Sequence, residues 1–225
     1  MIHFSWSPDT FGSILKAKVE ELLSAGGDVD TLFRAAALCA ESAEEACHGR
    51  AAACAAGCPH CCVLNVAALL PEAAVIASWV RNQFSQQEMV SLISRLTSHN
   101  SWARWMDDEE RIARMAFCPF LDEAARCSVH PVRPLACRSV ISLDSARCRE
   151  AFTPIISDEE RSVPSDLMRR AVFDAAFAAF AQALKQCGMD DRSIEIGTGV
   201  LAFLAEPELI EGLLSGKRAP RELWG

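Results

Sequence analysis

Four cysteines within nine residues, in the stretch CAAGCPHCC, constrain this chain more than any other feature. They are Cys54, Cys58, Cys61 and Cys62, and three more, Cys118, Cys127 and Cys137, follow after 55 intervening residues in CPFLDEAARCSVHPVRPLACR. Thiolates are soft, strongly donating ligands, and short loops bring them to one point. Both facts favour zinc or an iron–sulfur cluster over a hard cation such as magnesium. Pro59, Pro119 and Pro134 interrupt helix in these segments, and Gly57 permits a turn that most residues resist. The cysteines therefore belong to loops able to wrap a metal.

The local spacings are Cys-x3-Cys-x2-Cys-Cys and then Cys-x8-Cys-x9-Cys. Seven thiols exceed the need of one tetrahedral zinc. They suit one four-ligand site with spares, two sites sharing a ligand, or a cluster beside a mononuclear metal. The side chains of adjacent Cys61 and Cys62 diverge, so one of them is expected to serve a neighbouring ion or to pack inward. His60 and His130 lie inside the same segments, and imidazole is a good zinc ligand, although loop histidines more often face solvent. Arg133 and Arg138 flank Cys137. They either neutralise the excess negative charge of a thiolate site or stand as surface arginines.

A net charge of −8 leaves little room for a basic face and argues against nucleic-acid binding. Apolar residues make up 51% of the chain, which excludes a disordered polymer. The opening residues lack the basic and then apolar pattern of a signal peptide. No uninterrupted apolar run reaches the ~18 residues a membrane span needs. Eleven cysteines without an export signal read as reduced thiols or ligands rather than disulfides, so a cytoplasmic setting is expected.

The remainder reads as helix. Apolar residues recur at helical spacing over 9–24 (Phe11, Ile14, Leu15, Val19, Leu22, Leu23), with Gly26 and Gly27 as the stop. Asp28 or Asp30 caps a second helix to about His48, whose Cys39 and Cys47 read as core. A third helix begins near Pro71, and Ser85 caps a fourth. Trp102, Trp105 and Met106 are read as core rather than a binding stripe. The acidic run 107–110 is a solvated first turn, not a paired-carboxylate site. Residues 118–137 read as an irregular loop with one small hairpin, and Asp144 caps a short helix carrying Cys148. Residues 153–164 form a connection. The longest helix runs from Ser165 to Gln186, stopped at Gly188, with Cys187 at its end read as packing. Two short helices, about 199–204 and 207–214, close the chain, and strand-like alternation is weak throughout.

The fold class is thus mainly α, a helical domain with irregular cysteine-rich metal-binding loops. One domain over 1–225 is expected, with a cysteine-cluster core at 50–150 and C-terminal helices at 165–225. The pattern of Cys54, Cys58, Cys61 and Cys62 followed by Cys118-Pro119, Cys127 and Arg133-Pro134 with Cys137-Arg138 resembles the YkgJ-type cysteine-cluster family. That family is zinc- or iron-chelating and related to flagellin lysine N-methylases. The resemblance covers roughly residues 50–150 and implies a metal site. The family's first cysteines are separated by two residues, whereas three separate Cys54 from Cys58 here.

Three functions are open at this level. One is a cytosolic metal-binding protein holding zinc or iron through the cysteine cluster. Another is an iron–sulfur enzyme of electron transfer or S-adenosylmethionine-dependent methylation, as the methylase relatives imply. The third is a protein-docking module that the metal merely shapes. No phosphate loop, Gly-x-Ser-x-Gly elbow, His-Glu-x-x-His helix or dinucleotide-binding glycine fingerprint is present.

Overall fold

A computed structural model describes residues 6–154 and 162–224. Its helices are α1 (Pro8–Ala25), α2 (Val29–Ala46), α3 (Leu70–Gln83), α4 (Gln86–Ala103), α5 (Asp108–Ala113), α6 (Leu135–Ser139), α7 (Ser145–Ala151), α8 (Leu167–Gln186), α9 (Ile196–Ala205) and α10 (Leu209–Leu214). Two three-residue strands, β1 (Ala67–Leu69) and β2 (Ser193–Glu195), pair antiparallel with Ala68 opposite Ile194. The fold is mainly α. Strands this short carry no alternation that sequence reading can detect; their pairing is set by the helices that follow each of them.

Helix starts follow local chemistry. Side-chain oxygens of Ser7, Asp28, Ser85, Asp107, Asp144 and Asp166 accept N–H groups in the first turns of α1, α2, α4, α5, α7 and α8. The acidic run ends up as expected: Asp107 caps α5 in a reciprocal capping box with Glu110.

Two apolar clusters form. In the first, α1, α2 and α8 pack through Leu15, Val19, Leu32, Ala35, Cys39, Phe173 and Phe180. In the second, α3, α4 and α9 pack through Ile76, Val80, Leu92, Leu96, Val200 and Phe203. Gly199 lets α9 lie directly on α3 and β2. A Cβ there would stand 2.6 Å from Ile194 Cγ2 and 2.9 Å from Ala73 Cβ. Gly199→Ala is therefore expected to cost about 1–3 kcal/mol by overpacking, read as a lower urea midpoint at unchanged slope.

The tryptophans depart from expectation. Met106 is buried, but Trp102 and Trp105 are 43% and 67% exposed. Helix α4 runs on to Ala103 and turns His99 and Ala103 inward, which leaves the Trp102 indole outside, and Trp105 follows in the turn beyond the helix. The Arg104 guanidinium stacks 4.4 Å over the Trp105 ring. Part of the expected connection, residues 155–161, lies outside the described residues, as do residues 1–5 of the N-terminus. No helix among the described residues is long and apolar enough to cross a membrane.

Candidate metal centre

Both cysteine segments are shaped by turns rather than by regular structure. Cys61 and Cys62 sit in a 3-10 turn, His60–Val63, entered through Pro59. Gly57 holds φ at +83° just before it, a conformation that side chains with a Cβ rarely adopt. In the second segment Asp122 accepts the N–H groups of Ala124 and Arg126, and Ala125 takes φ 57° to close the loop. An isolated bridge then sets Cys127 opposite Leu121. The expected small hairpin is present in this reduced form. Pro134 starts α6, which carries Cys137.

These turns bring the segments into direct contact. The Cys118 N–H donates to the Cys62 carbonyl at 2.7 Å. Around that bond the thiols of Cys61, Cys62, Cys118, Cys127 and Cys137 come within electrostatic reach of one another. Each is half-buried as a residue. All five line one cavity of about 1780 Å³, as do Cys54 and Cys58.

The electrostatics are those of crowded, poorly solvated sulfurs. A hydrogen bond between the Cys61 and Cys62 thiols holds Cys61 down to about 7 and pushes Cys62 up. Burial pushes Cys118 up to about 12 and raises Cys127 and Cys137 as well, and neighbouring thiolates add to each rise. A group of this kind cannot carry several negative charges by itself. A bound cation reverses that balance, because a coordinating thiol gives up its proton.

The two arginines part company. Arg138 is committed to protein groups: its guanidinium donates to the carbonyls of Arg133 and Pro131, both at 2.7 Å, and stands 3.5 Å from Glu44. Arg133 instead holds positive charge near Cys61, Cys127 and Cys137, and its buried Nε has no hydrogen-bond partner among the described residues. His130 is exposed and His60 half-buried, and burial lowers the basicity of both.

Cys54 and Cys58 stand slightly apart. Cys54 is exposed, and the Ser142 N–H points at its sulfur at 3.4 Å. The Ala53 N–H donates to the Ser142 carbonyl at 2.8 Å, while Ser142 Oγ accepts the Asp144 N–H at 3.0 Å. These bonds tie the first segment to α7, whose Cys148 is buried and lies within electrostatic reach of Cys61, Cys58 and Cys54. Burial pushes Cys148 up to about 11, and those three thiols add to the rise. Sequence reading assigned Cys148 no ligand role, because nothing in linear spacing connects it to Cys54. The only available signal was its position on the first helix after Cys137.

Cys39 is fully buried between α1, α2 and α8, in line with a packing role, and Cys47 is buried at the end of α2. Cys187 lies 3.9 Å from Ser24 Oγ, away from the cavity.

The donor set fits a soft, thiophilic ion in composition. In this conformation it does not form a closed ligand shell: among the described residues no three His, Cys, Asp or Glu side chains stand together in an arrangement that could hold a metal. A closing movement of the loops around a cation is what such a set would require.

Comparison with known proteins agrees with this chemistry. Residues 53–155 match the family model CxxCxxCC, described as a "putative zinc- or iron-chelating domain". The match takes in all seven cysteines of the two segments and Cys148, and leaves α1, α2 and α8 to α10 outside it. No curated protein and no solved structure gave a significant match to the chain.

Proposed function

We propose, from the match of residues 53–155 to the CxxCxxCC family model, that this chain is a cytoplasmic metal-binding protein that holds zinc or iron through its cysteine thiolates. The observation that carries this reading is the convergence of five thiols, drawn from two distant loops, on one cavity beside the Arg133 guanidinium. Cys61, Cys62, Cys118, Cys127 and Cys137 would form the main ligand group. Cys54 and Cys58 would close over it from the first loop or, with Cys148, serve a neighbouring ion. The metal supplies the positive charge that lets the thiols ionise. Arg133 would then donate to a metal-bound sulfur and offset the residual negative charge.

A second reading is an iron–sulfur enzyme of electron transfer or methyl transfer. It is favoured by a thiol count above the four that one zinc takes, and by a cavity far larger than an ion needs.

The test is metal and acid-labile sulfide content, with a visible spectrum, on protein purified without oxygen. About one or two zinc or iron per chain without sulfide supports the first reading. Brown protein with about equal iron and sulfide supports the second. Metal-free protein whose thiols remain reduced overturns both. Cys39→Ala and Cys187→Ser are expected to leave the metal content unchanged, because neither side chain lines the cavity.

A further inference from the structure

The two cysteine loops are distant in sequence, and one buried carboxylate joins the segments that bear them. Glu72, in the first turn of α3, is 6% exposed. Its Oε2 accepts the N–H of Leu69, the last residue of β1, at 2.9 Å, and its Oε1 accepts the N–H of Leu135, the first residue of α6, at 2.7 Å. The first bond anchors the chain that leaves Cys61 and Cys62. The second anchors the helix that carries Cys137. Pro134, at the start of α6, has no side-chain donor or acceptor with which to cap that helix, so Glu72 supplies the missing acceptor from a distant part of the chain.

We propose that Glu72 is a positioning residue for the metal centre, holding the Cys137 helix in register with the Cys61–Cys62 turn. This rests on the metal-binding reading above. A capping box on α3 alone would need only the Leu69 bond. The Leu135 bond reaches across 63 positions and ends two residues before a ligand cysteine. A carboxylate does this where other side chains fail, because its two oxygens can face two N–H donors that approach from different segments. Glutamine retains one acceptor and sets its amide N–H₂ against the other donor. Alanine leaves both buried N–H groups without a partner.

Cadmium titration followed by the ultraviolet thiolate-to-metal band tests this on the full-length chain. Glu72→Ala is expected to bind cadmium about 10- to 100-fold more weakly than the wild type, as loss of a ligand-orienting contact does, with Glu72→Gln between the two. Leu23→Ala, a core substitution on α1, controls for lost stability and is expected to bind cadmium as the wild type does. Wild-type affinity in Glu72→Ala overturns the proposal, and so does an equal loss in Leu23→Ala. If Glu72→Ala does not fold, the ratio of Glu72→Gln to wild type decides in the same way. A wild-type chain that takes up no cadmium overturns the metal-binding reading itself.

Discussion

Removing the metal from protein purified in its loaded form is expected to lower the free energy of unfolding by about 4 kcal/mol, relative to solution in which free metal exceeds its dissociation constant about 1,000-fold. The physical basis is linkage: a site assembled from the two loops would exist only in the folded chain, so its binding energy would appear as folding energy. The direction of the effect agrees with what the sulfurs do without a cation. Burial raises Cys118, Cys127 and Cys137, and each adjacent thiolate makes the next ionisation harder. Besides the Cys118–Cys62 backbone bond, the Ala53–Ser142 bond and the two Glu72 bonds tie these loops to the fold, and a bound cation would add to them.

Cys137→Ser should mimic metal removal, because serine is a poor ligand for a soft ion. The check is a pair of thermal melts, with and without a strong chelator, on wild type and variant. The wild type should show a large difference between the two conditions and the variant a small one. Equal melting of wild-type protein in both conditions would show that the metal does not hold these loops. In that case the cavity would have to be understood as a site for some other ligand.

The second large effect is expected in the helical core. Phe180 is fully buried in α8 and belongs to the apolar cluster that α8 forms with α1 and α2. Phe180→Ala deletes most of a large side chain from a region already filled by alanines such as Ala35, Ala43, Ala176 and Ala183, which have no length with which to close the gap. The expected cost is about 3–5 kcal/mol, transfer and cavity contributions together. For a chain of this size that corresponds to a fall in Tm of roughly 6–20 °C. Chemical denaturation should show a lower midpoint at unchanged slope, and metal content should be retained in the folded fraction. A change below about 1 kcal/mol would mean that α8 repacks freely, which a close-packed helix interface does not permit.

The two predictions separate parts of the molecule that differ in how readily they can be read. Helical segments carry their own evidence. Leu15, Val19 and Leu23 mark one face of α1, Asp28 and Ser85 announce helix starts, and Gly188 at φ 73° marks a stop. The mainly α class follows from such local signals, since both the hydrogen bonds and the periodicity of a helix lie within a few residues. The same holds for the suspicion of a metal: clustering of Cys54, Cys58, Cys61 and Cys62 is visible in nine residues of text.

Which thiols face one another is a different matter. Trp102 and Trp105 have helical spacing, yet Trp102 points outward because α4 buries its other face, and Trp105 lies beyond the end of that helix. Arg133 and Arg138 look equivalent on either side of Cys137, but Glu44 and two backbone carbonyls engage Arg138, whereas Arg133 is left among the sulfurs. Cys148 reaches Cys54 only through the bonds around Ser142, and Glu72 joins β1 to α6 only once α3 is in place.

By itself, then, the sequence determined the helices, their caps and the chemical character of the cysteine loops, because those depend on neighbours in the chain. The tertiary structure alone decided which arginine faces the thiols, which eighth cysteine lies near them, and which carboxylate ties their two segments together. Each of these is a contact between residues far apart in the chain, and its geometry is set by how the helices pack rather than by any local preference.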